Sequence, residues 1–213
     1  MRAGRRRCRA VALATIAAVS GAGCYAGSAR NTSWSQIAPE RGWQMVNDVP
    51  FIPQQGASDC GAAALAMAFA YWRQPDSLRQ IVLEAPPRDG GIRAGDLRDL
   101  ARRRGFQAFL IQGTFADIEA QLGQGHPVIV GLAKPLFGGK ALLHYEVVIG
   151  LNRSTRHVLA WDPGAGLRDD SAEGFAREWA PADRLMLILY RADVRGGGGT
   201  ATAPRPADRR ESA

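Results

Sequence analysis

The sequence predicts an α+β domain whose helices come first along the chain and whose strands follow as an antiparallel sheet. Before residue 126, proline-free runs are rich in Ala, Leu and Met or repeat leucine at helical spacing, which is typical of helices. After residue 126, the chain turns to short runs of β-branched and aromatic residues, which favour strands. Helices followed by strands, without regular alternation of the two, indicate an antiparallel sheet.

Each predicted element rests on its local pattern. The run CGAAALAMAFAYW, residues 60–72, is apolar nearly all round and therefore predicts a buried helix. Ser77 or Asp76, and later Thr114, are expected as N-caps. The predicted helices span 60–72, 77–85, 94–104, 114–125 and 171–179, and the predicted strands span 107–113, 127–133, 144–152, 156–163 and 183–191, with 49–55 as a short strand or an extended entry.

Residues 1–24 have the three regions of a signal peptide. A basic start, MRAGRRRCRA, precedes VALATIAAVS, an apolar run of ten residues that is too short to span a bilayer. The following GAGC resembles a bacterial lipoprotein processing site that ends at Cys24, although Gly21 stands where an aliphatic residue is usual. We therefore expect a periplasm-facing protein of the bacterial cell envelope, held by a lipid on Cys24 and most simply at the outer membrane. An ordinary secretory signal cut near the same place is the alternative, and it would leave the protein periplasmic or secreted.

The remaining chain divides into three parts by composition. Residues 25–47 are polar and weakly patterned and predict a flexible tether, 48–193 form the folded domain, and 194–213 predict a disordered tail rich in Gly, Pro, Ala and Arg. Five arginines before residue 10 supply most of the net charge of +7, so the folded part is close to neutral. That balance argues against a nucleic-acid partner, and we expect a monomer.

Cys60 is expected to be the one free thiol of the mature protein. Of the three cysteines, Cys8 would leave with the signal and Cys24 would carry the lipid. An unpaired cysteine in an exported protein points to a reactive thiol, whereas the alternative is an inert buried one. Cys60 begins the 60–72 helix, where unpaired N–H groups and the helix dipole stabilise a thiolate, and Asp59 is expected to cap that helix.

A cysteine nucleophile needs a base and a group that orients the base. His144 begins the strand HYEVVIGLN, and Asp162 ends the following one. A hairpin with its turn at residues 152–155 would make these two side chains neighbours. His126 and His157 are expected to have solvated or structural roles. The sequence spacing supports neither a metal site nor a cofactor site.

Four segments resemble, in the same order, the bacteriocin-processing cysteine peptidases, which are papain-like domains that cut double-glycine leader peptides on certain ABC exporters. QQGASDCGAAALAM looks like their Q-x4-(D/E)-C-G signature, HYEVVIG like their H-(Y/F)-x-V-(V/I) strand, and WDP like their Asp-Pro element. SAEGFAREW resembles their S-x-x-E-F-x-x-W helix, except that Gly174 replaces the acidic residue. The resemblance covers residues 49–191.

This resemblance implies a papain-like fold and a role for each matching residue. Cys60 would be the nucleophile, His144 the base and Asp162 its orienter, and Gln54, rather than Gln55, would donate to the oxyanion. The favoured hypothesis is a cysteine endopeptidase that cleaves an exported peptide or protein substrate at a Gly-rich or double-glycine site. The alternatives are an inactive peptide-binding accessory of a secretion system, and thiol acyl transfer or deamidation on the same residues.

Overall fold

The structure is a computed structural model that describes residues 27–37, 42–136 and 141–191. The predicted signal segment with Cys8 and Cys24, and the predicted tail 194–213, lie outside the described residues. Helices occupy Trp34–Ile37 (α1), Cys60–Tyr71 (α2), Leu78–Glu84 (α3), Ala94–Arg103 (α4), Phe115–Gly123 (α5) and Ala172–Trp179 (α6), with a 3-10 turn at Ala180–Ala182. Strands occupy Arg30–Asn31 (β1), Trp43–Met45 (β2), Phe106–Gln112 (β3), Val128–Pro135 (β4), Ala141–Asn152 (β5), His157–Asp162 (β6), Gly166–Ser171 (β7) and Leu185–Arg191 (β8).

These strands form an eight-stranded sheet in the order β1-β7-β6-β5-β4-β8-β3, and β2 adds to β5. Every pairing is antiparallel, which confirms the predicted α+β class. The order of β4 to β7 follows their order in the chain, because each of these strands pairs with the next one.

The core lies between the sheet and helices on its two faces. Helix α2 is buried all round from Cys60 to Phe69, because small alanines allow it to pack closely against its neighbours. Alternation along β5 sends the Tyr145 side chain to the α2 side, where its ring lies close to Gly61. The next residue, Glu146, points to the other side, where α6 packs with Phe175 and Trp179 buried.

The segment predicted as a tether packs on the domain in its described residues. Strand β1 pairs with β7, β2 pairs with β5, and Val46 N donates to Ile149 O at 2.8 Å. Ile37 is buried. Backbone hydrogen bonds to a sheet need no apolar periodicity in the added strand, and strands of two or three residues are too short to show a pattern that predicts them.

Strand β7, GLRDDS, was also not predicted. Its polar composition suits a position between β6 and the two-residue edge strand β1, where Asp169 and Arg168 pair with Arg30 and Asn31. The other predicted elements occur with ends shifted by a few residues, and Ser77 and Thr114 cap their helices as predicted. The 49–55 segment is an extended entry, without strand pairing.

Gly174 is the residue that lets the N-terminal segment lie against α6. A Cβ at this position would lie 2.6 Å from Ser28 Cβ, a separation that real Cβ atoms do not tolerate. Ser28 occupies the space that an acidic residue would fill in the helix motif. The one departure from that motif is therefore linked to the docking of residues 27–31.

We expect Gly174→Ala to lower the free energy of unfolding by about 1–3 kcal/mol, since it overpacks this contact. Hydrogen exchange should become faster at the Thr32 amide, which donates to Leu167 O at 3.1 Å. Gly95→Ala is the matched control, because a Cβ there meets nothing within 4 Å and alanine favours a helix by about 0.5–1 kcal/mol. Unchanged exchange at Thr32 in Gly174→Ala would contradict the expected displacement.

Candidate active site

Cys60 is the first residue of α2, and its side chain is buried. Asp59 is the N-cap residue, but its side chain makes no capping bond and accepts from Gly56 N at 2.9 Å instead. The expected capping by the Asp59 carboxylate is therefore wrong, because the preceding loop uses that carboxylate. The first N–H groups of α2, next to the Cys60 thiol, are therefore not capped by a carboxylate.

The surroundings of the thiol favour its ionised form. Burial raises the pKa of Cys60, but the hydrogen bond and charge of His144 lower it, as do the N–H groups of Tyr145 and Gly61, and the net pKa lies below its ordinary value. The Tyr145 N–H is available because β5 pairs with β6 only from Val147 onward. Cys60 thus lies beside the stretch of β5 that extends past its partner strand.

The β5–β6 hairpin brings His144 and Asp162 together, as its geometry predicted. Val147 pairs with Trp161 and Asn152 with His157, with an irregularity between Val148 and Gly150. His144 Nε2 lies 2.7 Å from Asp162 Oδ1. With Nε2 held in this way, Nδ1 is the ring nitrogen left to face the thiol.

Asp162 is held in turn by its own loop. Its side chain is fully buried, and its Oδ1 also accepts from Gly164 N at 2.8 Å. Burial lowers the pKa of His144, but hydrogen bonds to Asp162 and Cys60 and the charges of Asp162 and Glu146 raise it to about 10. Together with the lowered pKa of Cys60, this favours a thiolate–imidazolium pair at neutral pH.

Gln54 lies next to the Asp162 loop. Its backbone N donates to Pro163 O at 3.0 Å, and a Cβ on Gly164 would lie 3.4 Å from both Gln54 Oε1 and Asp162 Oδ1. In this arrangement, the Gln54 Nε2 donates to Gly56 O at 3.0 Å, while Oε1 is buried without a hydrogen-bond partner. The side chain is therefore near the site, with its amide nitrogen directed to its own loop. Gln55 is exposed.

The other two histidines lie in structural contacts. His126 Nδ1 lies 2.9 Å from Gln121 Oε1, and its ring stacks on Tyr190. His157 Nδ1 lies 2.7 Å from Asp169 Oδ1 on the partly exposed part of β6. Neither residue takes part in the Cys60–His144–Asp162 arrangement.

Sequence reasoning missed a group of buried charges behind His144. Lys134 Nζ lies 2.7 Å from Glu146 Oε1 and 2.7 Å from Glu178 Oε2. A lysine and a glutamate inside the apolar runs VIVGLAKP and HYEVVIGLN were the signal that could have revealed the pair. The two charges come together only through the β4–β5 register, in which Val130 pairs with Glu146 and Lys134 with Leu142.

A ring nitrogen of His144 and one carboxylate oxygen each of Glu146 and Asp162 lie within 4.8 Å of one another, and all three are atoms that can bind a metal ion. Sequence spacing did not reveal this cluster. Two of its members are already joined by the 2.7 Å His144–Asp162 contact, and the Lys134 ammonium supplies a cation to the third. The donor set is thus a protein ion network, which does not fit a metal site.

Known proteins with a similar sequence point to one family. The profile described as the Peptidase C39 family matches residues 48–192. The chain belongs to the Peptidase C39 family. This C39 chain is a cysteine peptidase. The match begins and ends within one residue of the predicted domain limits, 48 and 193.

A curated relative of this C39 chain is the transport/processing ATP-binding protein ComA of Streptococcus pneumoniae, which is 33% identical over 136 residues. The alignment covers 63% of this chain but 18% of ComA, so the chain spans about a fifth of that relative. Among the residues that the structure describes, no helix has the length and apolar character needed to cross a membrane.

Solved structures show the same papain-like fold. The peptidase domain of Streptococcus ComA has a TM-score of 0.57 at 24% identity, covering 68% of this chain and all of that domain. A double-glycine-motif protease from an AMS/PCAT transporter, solved with its leader peptide, has a TM-score of 0.54 at 25% identity and covers 71% and 96% of the two chains. The C39 fold thus accounts for the arrangement of helices and antiparallel sheet.

The proton count of the Cys60–His144 pair predicts an unusual pH dependence of stability. If the folded pair is a thiolate–imidazolium pair, it carries one proton, on His144, and between pH 6.5 and 9 the unfolded pair also carries one, on the thiol. The pair therefore adds no pH dependence in that range. In Cys60→Ala, the Cys60 hydrogen bond is lost, but Asp162 and Glu146 still raise the pKa of His144. The stability that His144 contributes is therefore complete below pH 6.5 and declines as the pH rises toward its folded pKa.

We expect the free energy of unfolding of Cys60→Ala to fall by up to about 1.4 kcal/mol per pH unit relative to the wild type above pH 6.5. Urea unfolding at several pH values between 6 and 9 measures this difference, and pH effects from other groups cancel in it. Parallel curves for the two proteins would contradict a thiolate–imidazolium pair.

Proposed function

We propose that this C39 peptidase cleaves a peptide bond through a thioester on Cys60, with His144 as base and acid and Asp162 as the orienter of His144. The observation that carries the proposal is the buried 2.7 Å contact between His144 and Asp162 beside the thiol at the start of α2. This is the nucleophile–base–orienter arrangement of a covalent peptidase.

The proposed reaction has two halves. The Cys60 thiolate attacks the scissile carbonyl, and the C–N bond breaks as the His144 imidazolium gives its proton to the leaving amine. Water then attacks the thioester, His144 takes a proton from it, and the thiolate leaves to release the new carboxylate. Asp162 keeps the imidazole in one orientation and stabilises its charged form in both halves.

The substrate we propose is an exported peptide that is cut after a glycine pair. Support comes from the relatives, since one is named a transport/processing protein and another is a double-glycine-motif protease solved with a leader peptide. The chain spans only part of ComA, so the exporter's transport activity is not part of this proposal. A lipid on Cys24 and an envelope location remain predictions from the sequence.

Cys60→Ala should abolish cleavage of a synthetic leader peptide with a Gly-Gly site and abolish alkylation at position 60. His144→Ala should lower kcat/KM by about 100- to 10,000-fold, since it removes the general base and acid. Product masses that sum to substrate plus water would identify hydrolysis and exclude acyl transfer. His157→Ala is the control, because His157 contacts Asp169 away from Cys60. Cleavage retained by Cys60→Ala would refute the proposal.

Gln54 is proposed to donate to the oxyanion together with the Cys60 N–H, once substrate draws its amide away from Gly56 O. We expect Gln54→Ala to lower kcat by about 100- to 1000-fold, and the exposed Gln55→Ala to have no effect. Alkylation of Cys60 by iodoacetamide forms no oxyanion, so its rate should be unchanged in Gln54→Ala. Equal losses of cleavage and alkylation would show that Gln54 shapes the thiol site instead.

A further inference from the structure

Behind His144 lies a buried chain of charges that the triad does not include. Lys134, Glu146 and Glu178 have relative exposures of 0%, 2% and 5%. The Lys134 ammonium lies 2.7 Å from a carboxylate oxygen of each glutamate. Because removing charges from water is costly, such a group persists only when its members are paired.

The far end of this chain is anchored by the N-terminal segment. Glu178 Oε1 accepts from Ser28 N at 2.7 Å and from Ser28 Oγ at 2.9 Å. Ser28 Oγ is also within 2.9 Å of Asp170 Oδ2. These bonds hold Glu178 in place, so the position of Lys134 between its two carboxylates is set from both sides.

The near end of the chain faces the proposed catalytic pair. Glu146 lies two residues after His144 on β5, and alternation places both side chains on one face of the strand. A carboxylate oxygen of Glu146 lies within 4.8 Å of a ring nitrogen of His144 and of an Asp162 oxygen. The H-(Y/F)-x-V-(V/I) pattern leaves the position of Glu146 open, so the pattern itself does not require this second carboxylate.

We propose that Glu146, held by Lys134, is a positioning residue for His144, whose charged form its carboxylate stabilises through space. This inference rests on the proposed function of His144. Glu146 acts on the base without touching the substrate, and Lys134 limits the negative charge that His144 experiences. Ser28 and Glu178 support this arrangement by fixing Lys134.

The charges around His144 determine the direction of each expected effect. Three groups lie close to His144: Cys60 from α2, Asp162 from β6 and Glu146 from β5. Lys134, Glu178 and Asp170 lie behind Glu146. Tyr145 and Asp96 lie toward the α2 side. Removing the charge of Glu146 destabilises the imidazolium, so His144 should lose its proton at a lower pH. Removing the charge of Lys134 leaves Glu146 less compensated, so His144 should lose its proton at a higher pH.

The test is the rate of iodoacetamide alkylation at Cys60 in the full chain between pH 5 and 11, followed by mass spectrometry of the Cys60 peptide. The upper inflection of this profile reports loss of the imidazolium proton, because the thiolate becomes more nucleophilic once its charged partner is gone. We expect Glu146→Gln, which keeps the side-chain shape and an acceptor for Lys134, to move this inflection down by about one pH unit. Lys134→Gln should move it up.

Glu173→Gln is the matched control, because Glu173 is an exposed acidic residue of α6 that pairs with Arg156. It should leave both inflections in place, and thermal melting will show which variants are folded. An unchanged upper inflection in folded Glu146→Gln would overturn the inference and assign the ion network a purely structural role. If Glu146→Gln does not fold, Lys134→Gln provides the test. An upper inflection that is unchanged or lowered in Lys134→Gln would also overturn the inference.

The same profile separates this inference from the proposed function. A wild-type profile in which Cys60 is alkylated near neutral pH as a thiolate supports the Cys60–His144 pair, whatever the variants do. If wild-type alkylation instead rises only near the ordinary thiol pKa of about 9, the proposed function fails at its first step. Shifted inflections in the variants with a normal wild-type profile support both.

Discussion

The hydrogen bond between His144 and Asp162 is the interaction on which the arrangement of the site depends. It joins the start of β5 to the end of β6, two positions that only an antiparallel hairpin of this length brings together. Both side chains are buried, so each would be costly to leave unpaired. The pairing of β5 with β6 stops at Val147, and this leaves the Tyr145 N–H and the His144 ring to meet α2. The Cys60 thiol is thus placed by the end of a helix, whereas His144 is placed by a strand of the sheet.

The parts of this design that the sequence could predict are those with a local or a hairpin pattern. The apolar run after Cys60 identified α2, and strand alternation with a short turn predicted that His144 and Asp162 would meet. Features that depend on distant register could not be predicted. Lys134 and Glu146 meet only through the β4–β5 pairing, and Ser28 meets Glu178 across 150 residues of chain. The role expected of the Asp59 side chain was wrong for a similar reason, since the competing donor, Gly56 N, lies in a loop whose course no periodicity describes.

The ion network shows how polar residues are accommodated in this core. Lys134 and Glu146 each occupy a strand position that would otherwise hold an apolar residue, and their pairing offsets much of the cost of burying them. Breaking such a pair on one side is more damaging than removing both charges, because the remaining charge is left uncompensated. Burial keeps the pKa of Glu146 above its ordinary value, although the charge of Lys134 lowers it in part. The charge presented to His144 therefore depends on how well β4, β5 and α6 hold together.

The docking of the N-terminal segment limits how far the domain could lie from a lipid anchor on Cys24. A flexible tether over 25–47 would let the domain range far from a lipid on Cys24. In the structure, Ser28 already contacts Glu178 and Asp170, so only three residues separate Cys24 from the docked residue, a reach of at most about 14 Å when extended. Such an anchor would hold the peptidase close to the membrane surface. The space that Gly174 provides for Ser28 is what makes this short connection compatible with the fold.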